Sequence, residues 1–136
     1  MVRAAEVVLL VDVANVVGSR PDGWWRDRAG AASRLLASLA DLSGATVPSP
    51  DDASDVRLAD LVAVVEGAAR SATGPDTVTV VVAVHDGDRE IIAQARRIIA
   101  EGLVPLVVTA DRGLRARLPT GSRTAGPEWL NRLVGR

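Results

Sequence analysis

The stretch AEVVLLVD, Ala5–Asp12, decides the fold of this 136-residue chain. Its almost unbroken run of valine and leucine is typical of a strand that is buried on both faces at the centre of a parallel sheet. The run ends on Asp12, where a carboxylate is costly unless it has a partner. The stretch therefore predicts a central strand and a polar site at one edge of its sheet.

The rest of the chain alternates strand and helix patterns. This favours a three-layer α/β/α sandwich with a mainly parallel sheet of four or five strands. Further strands are predicted over residues 58–66, 78–84 and 103–109, with a short edge strand over 122–125. The β-branched run 78–84 is predicted to be buried. Helices are predicted over residues 24–42, 89–101 and 111–118, and from Pro127 onwards. Residues 45–54 contain two prolines and are predicted to be a mobile surface loop with solvated Asp51 and Asp52.

The composition limits the chemistry that is available. The chain has no cysteine, which excludes disulfides, thiolate zinc sites and a cysteine nucleophile. It has one histidine, His85, so a histidine-rich metal site is excluded as well. Any metal must therefore be held by oxygen, which points to Mg²⁺ or Mn²⁺. All sixteen basic residues are arginine, and tyrosine is absent, so no mechanism can use a lysine or a tyrosine.

The length and the hydropathy predict one domain, residues 1–136, in the cytoplasm. The first apolar run is too short for a signal peptide, and no apolar run approaches the roughly 18 residues of a membrane-spanning helix. The formal net charge of −1 gives no overall basic field that would by itself indicate nucleic-acid binding.

Acidic residues follow every predicted inner strand. These residues are Asp12, Glu66, Asp86, Asp88 and Asp111. In a parallel α/β sheet the carboxyl ends of the strands meet at one edge, where functional groups collect. Carboxylates gathered there repel one another unless a divalent cation is bound among them. Helix capping is the alternative for Asp88 and Asp111, and a hydrogen-bonded aspartate is the alternative for Asp12.

Polar and aromatic residues near this edge are candidates for substrate contact. We expect contacts from Ser19, Arg20, Arg26, Thr109 and Arg112. The arginines would contact a phosphate backbone, although a solvated surface charge is the alternative for each. Two tryptophans follow the loop beside Asp12, Trp24 and Trp25, and they are interpreted as helix packing, with base stacking as the alternative.

Two motifs resemble the NYN branch of the PIN-like nuclease superfamily, which includes the YacP-like proteins. The stretch LLVDVANVV, residues 9–17, is similar to the family's opening Val-Asp-Gly-Tyr-Asn-Val motif. The stretch VVTADRGL, residues 107–114, is similar to its Val-Val-Thr-Ser-Asp-Arg-x-Leu signature. Two looser matches lie between them: VVEG, residues 64–67, falls at the family's second strand, and GDREI, residues 87–91, falls at its paired acidic motif.

The resemblance implies a PIN-like fold and a metal-dependent endoribonuclease that hydrolyses RNA. It implies Asp12, Asp88 and Asp111 as catalytic residues and Asn15 as the residue that orients Asp12. The implied ligands of Mg²⁺ or Mn²⁺ are Asp12, Glu66, Asp86, Asp88 and Asp111.

The chain departs from the family pattern at three positions. Ala14 replaces the usual tyrosine, Glu66 stands where aspartate is common, and Arg89 interrupts the paired acids. These departures keep open a second reading, a catalytically inactive PIN-like module that binds RNA or a protein. Besides RNA, the expected partners are a second copy of the chain, through an exposed Trp129, and an antitoxin. No membrane partner is expected.

Overall fold

The computed structural model describes residues 4–51 and 54–136 and shows an α/β fold with one six-stranded sheet. The strands are β1 Ala5–Asp12, β2 Thr46–Val47, β3 Val56–Val65, β4 Thr79–Val82, β5 Pro105–Val108 and β6 Arg123–Ala125. The helices are α1 Val13–Gly18, α2 Arg28–Ser38, α3 Gly87–Ala100, α4 Arg112–Arg117 and α5 Pro127–Val134. Three short 3₁₀ turns lie at Trp24–Arg26, Ala40–Leu42 and Gly67–Ala69.

The sheet is mixed, with the strand order β2-β3-β1-β5-β6. Strand β1 lies in the middle and pairs in parallel with β3 and β5, as its apolar sequence predicts. Strand β2 runs antiparallel to the start of β3, and β4 runs parallel to its end, from Val62 to Val65. The expected mainly parallel sheet of four or five strands is therefore corrected to a mixed sheet of six, because the long strand β3 pairs with two short strands in succession.

Helices cover both faces of the sheet because the side chains of β1 alternate between two apolar clusters. Val7, Leu9 and Val11 pack in one cluster with residues of α1, α2 and α5. Val8 and Leu10 pack in the other cluster with residues of α3 and α4. Burial on both faces accounts for a strand that is apolar at nearly every position rather than at every second one.

The prediction of a buried strand over residues 78–84 is wrong in its burial. Strand β4 lies at the edge of the sheet and pairs with β3 alone among the described strands. Val82 and Val84 are 46% and 84% exposed. A β-branched sequence favours an extended backbone but carries no information on which neighbours the strand will have.

The prediction of a mobile loop over residues 45–54 is also corrected where the structure describes it. The segment forms β2, and Val47 and Ser49 are buried. Asp51 is exposed and pairs with Arg123 at 3.5 Å. Asp52, the other residue predicted to be solvated, lies outside the described residues.

Trp129 is buried, at 6% exposure, so the expectation of an exposed residue for a dimer interface is wrong. Its Nε1 donates a hydrogen bond to the carbonyl oxygen of Pro48 at 3.0 Å, which ties α5 to the segment after β2. The indole ring of Trp129 buries a large apolar surface, and the hydrogen bond to Pro48 provides a partner for its one N–H group.

The first predicted helix, residues 24–42, is divided in the structure. Asp27 caps α2 by accepting a hydrogen bond from the amide of Gly30 at 2.9 Å, so the helix begins at Arg28 and ends at Ser38. Helix α1, directly after β1, was not predicted. The edge strand β6 and the start of α5 at Pro127 are confirmed. Within residues 4–51 and 54–136, no helix has both the length and the apolar character needed to cross a membrane.

Candidate functional site

Asp12 lies at the carboxyl end of β1 and is 8% exposed. Its Oδ1 accepts a hydrogen bond from the amide of Asn15 at 3.3 Å, which caps α1. Its Oδ2 accepts a hydrogen bond from Thr109 Oγ1 at 2.9 Å. The carboxylate is therefore held at the edge of the sheet by two segments, the start of α1 and the residue that follows β5.

Burial raises the pKa of Asp12 above its ordinary value. The hydrogen bonds from Thr109 and Asn15 act in the opposite direction and favour the ionised form. The carboxylates of Asp88 and Glu66 lie close enough to raise the pKa further. Three acidic side chains that follow three different strands therefore share one electrostatic environment, with Asp12 as its most buried member.

Glu66 follows β3, and its carboxylate accepts a hydrogen bond from the amide of Gly87 at the start of α3. A Cβ atom on Gly87 would lie 2.8 Å from Glu66 Oε2, which is closer than real Cβ contacts. A side chain at position 87 would therefore require the Glu66 carboxylate to move away from the start of the helix. The N-terminus of a fourteen-residue helix also favours a negative charge at this place.

Asp86 and Asp88 take different parts at the start of α3. Asp86 is the N-cap, and its Oδ1 accepts a hydrogen bond from the amide of Arg89 at 2.8 Å. Asp88 lies in the first turn and forms an ion pair with Arg117 of α4 at 2.8 Å. The sequence alternative that gave the cap to Asp88 is therefore wrong. Asp88 lies beside Arg117 at the edge of the sheet where Asp12 and Glu66 also lie (the acidic edge).

Asp111 caps α4, as the sequence alternative proposed, and its Oδ1 accepts a hydrogen bond from the amide of Leu114 at 3.0 Å. Asn15 contacts Asp12 through its backbone amide only. Its side-chain Oδ1 accepts a hydrogen bond from the amide of Ala110 at 2.8 Å, on the loop between β5 and α4. Asn15 thus joins this loop to α1.

Among the described residues, no three acidic or histidine side chains are placed to hold a metal ion together. Mg²⁺, however, is usually held by one or two carboxylates together with waters and substrate phosphates, and not by a complete protein cage. The carboxylate oxygens of Asp12, Glu66 and Asp88 at this edge fit an ion shared in that way. They do not form a complete protein ligand set.

The structure separates the predicted substrate contacts into two groups. Ser19 and Arg20 face α5 and the end of the chain: Ser19 Oγ accepts a hydrogen bond from Asn131 Nδ2 at 3.1 Å, and Arg20 Nη2 donates one to the carbonyl oxygen of Arg136 at 2.7 Å. These two residues serve packing and are not brought to the acidic edge.

The other three predicted contacts differ in exposure. Arg26 is exposed beside the ring of Trp25, at 5.8 Å from its centroid. Arg112 is exposed and begins α4, next to Asp111. Thr109 is fully buried, so it positions Asp12 and does not contact a substrate.

Two further arginines of α4 have contacts that the sequence does not predict. For Arg117 and Arg115, as for Arg112, the sequence predicts contact with a phosphate backbone, with a solvated surface charge as the alternative. In the structure Arg117 pairs with Asp88, which depends on how α4 packs beside α3, and Arg115 Nε donates a hydrogen bond to the carbonyl oxygen of Thr109 at 2.8 Å. The only local signal was the basic character of residues 112–117, which does not distinguish structural arginines from solvated ones.

No family model, curated protein or solved structure matches the chain. The resemblance to PIN-like nucleases therefore rests on the sequence motifs alone.

Proposed function

We propose that the chain is a PIN-like, metal-dependent ribonuclease that hydrolyses RNA phosphodiester bonds at the acidic edge. The observation that carries the proposal is the buried carboxylate of Asp12, whose pKa is raised by burial and by the neighbouring carboxylates of Asp88 and Glu66. A buried carboxylate with further carboxylates beside it from separate strands is costly to a fold and is common at functional sites.

The protein's own residues have distinct parts in this proposal. Asp12 and Asp88 would hold the ion, with Glu66, Asp86 or Asp111 as further donors. Thr109 and the amide of Asn15 keep the Asp12 carboxylate in place before the substrate arrives. When bound, Mg²⁺ or Mn²⁺ would supply Lewis-acid polarisation of the scissile phosphate.

Positive charge for the RNA backbone is available beside the acids. Arg112 is exposed at the start of α4, next to Asp111, where it could contact a phosphate. Arg117 lies further along the same helix and forms an ion pair with Asp88. An arriving ion would compete with Arg117 for Asp88, and the phosphates of arriving RNA would compete with Asp88 for Arg117.

The test is cleavage of RNA panels in the presence of Mn²⁺ by the wild type, Asp12→Asn and Asp55→Asn. Asp55 is the matched control, since it is an exposed aspartate just before β3, at the opposite edge of the sheet. We expect Asp12→Asn to lose about a hundredfold or more in rate and Asp55→Asn to retain the wild-type rate. Equal cleavage by Asp12→Asn and the wild type would overturn the proposal.

A second candidate is a module that binds RNA or a protein without catalysis. It is favoured by the Arg117–Asp88 ion pair and by the lack of three converging ligands among the described residues. Calorimetric titration with Mn²⁺ separates the two candidates. A binding site that disappears in Asp111→Asn supports the nuclease, whereas no binding at millimolar metal supports the module.

A further inference from the structure

A cavity of about 370 Å³ opens beside the acidic edge. Its inner wall is apolar and comes from Val13 and Val17 of α1 and from Ala32 of α2. Its size lies at the lower end of the range for pockets that hold small organic groups. RNA hydrolysis at the acidic edge does not require this cavity, although Glu66 and Asp86 line it.

One wall of the cavity is made of flat π surfaces. Trp24 is half-buried there, and the guanidinium carbon of Arg28 lies 5.1 Å from the centroid of its ring. The neighbouring Trp25 meets Trp24 edge-on, with 6.0 Å between ring centroids and 88° between ring planes. Aromatic rings and guanidinium planes are the two side-chain surfaces on which unpaired bases stack.

The mouth of the cavity carries hydrogen-bond acceptors. Glu66 and Asp86 line it, together with His85. Carboxylate oxygens accept hydrogen bonds from exocyclic amino groups, as in the recognition of cytosine N4 by acidic side chains. Glu66 also contributes to the electrostatic environment of Asp12, so the cavity and the acidic edge share a residue.

We propose that this cavity binds one base of a single-stranded RNA, and that the base carries an exocyclic amino group. The base stacks on the Trp24–Arg28 surface, its amino group faces the carboxylates at the mouth, and its phosphate leads towards Asp12. The identity of the strand as RNA rests on the proposed function. The base site itself rests on the apolar wall, the π surfaces and the acceptors.

Binding is measured without metal, so that cleavage does not interfere. The probes are short, fluorescently labelled homopolymers of adenylate, cytidylate and uridylate, titrated in EDTA and followed by anisotropy. Adenylate and cytidylate are expected to bind more tightly than uridylate, since uracil has no exocyclic amino group.

Two variants remove the cavity in different ways. Trp24→Ala removes the stacking surface, and Ala14→Leu narrows the space from an exposed position of α1 that lines the cavity, without adding an aromatic ring. Each is expected to weaken adenylate binding by about tenfold. Leu103→Ala is the control, because Leu103 is a 42% exposed apolar residue that does not line the cavity. It should bind as the wild type does.

Each outcome bears on one proposal. Unchanged affinity in folded Ala14→Leu, or no binding of any homopolymer by the wild type, overturns the base site even if RNA is cleaved with Mn²⁺. Equal binding of free adenosine monophosphate and of the adenylate homopolymer overturns the RNA assignment in favour of a free nucleotide. Base binding as expected, without cleavage by the wild type, overturns only the nuclease.

Discussion

Thr109 Oγ1 donates a hydrogen bond to Asp12 Oδ2 across 97 residues of sequence and joins the ends of the neighbouring strands β1 and β5. The same hydroxyl oxygen accepts a hydrogen bond from the amide of Asp111 at 3.2 Å. Thr109 is fully buried, and its hydrogen bond to Asp12 is shielded from water. One hydroxyl group therefore connects the carboxylate of Asp12 to the backbone of Asp111.

Thr109→Val removes this hydroxyl with little change of shape. We expect the free energy of unfolding to fall by about 1–3 kcal/mol, because a buried carboxylate oxygen and an amide each lose a partner. The pKa of Asp12 should rise further, since the bond from Thr109 now lowers it. Urea denaturation and NMR titration measure the two effects. Thr109→Ser keeps the hydroxyl and should restore the pKa, and a valine variant with wild-type stability would contradict the expectation.

Asp12→Asn should change the pH dependence of stability. Because folding raises the pKa of Asp12 above its ordinary value of 3.8, the folded state binds the proton more tightly than the unfolded chain. The contribution of Asp12 to stability is therefore complete below that value and is lost as the pH rises through the raised pKa. Asparagine does not ionise, so the melting temperature of Asp12→Asn relative to the wild type should increase from acid to neutral pH.

Thermal unfolding across this pH range measures the effect. The exposed Asp55 supplies the control, since Asp55→Asn should show no such trend. A constant difference between Asp12→Asn and the wild type would mean that burial does not disfavour the ionised carboxylate.

Arg117→Ala should strengthen the binding of a divalent cation at the acidic edge. The guanidinium lies 2.8 Å from Asp88 Oδ2 and competes with an ion for that carboxylate. Both side chains are partly exposed, so we expect only a few-fold gain in Mn²⁺ affinity by calorimetry. Arg97→Ala breaks a comparable exposed pair, Arg97–Glu101 at 2.9 Å, away from the site, and should leave the affinity unchanged. Weaker binding in Arg117→Ala would show that the arginine supports the site.

Trp129→Phe should destabilise the protein without changing its oligomeric state. The substitution removes the hydrogen bond to Pro48 and leaves a buried void, at a cost of about 1–3 kcal/mol. Trp25→Phe at an exposed site should change stability by less than about 0.5 kcal/mol. Chemical denaturation and analytical ultracentrifugation provide the measurements. A change in sedimentation confined to Trp129→Phe would instead indicate an interface role.

The local features of the fold could be predicted from the sequence because each is encoded within a few neighbouring residues. The apolar run fixes β1, with its end at Asp12, and the proline fixes the start of α5. The acids that follow β1, β3, β4 and β5 are visible in the same way. The burial of strand 78–84 could not be predicted, because an edge strand and a central strand can share a β-branched sequence.

The sequence by itself determined which chemical groups reach the sheet edge: carboxylates and arginines, without cysteine or lysine. Only the tertiary structure decided what those groups contact. Asp12 is paired with Thr109, and Asp88 is paired with Arg117, 29 residues further along the chain. Such contacts depend on the packing of whole strands and helices against one another, so no local pattern encodes them.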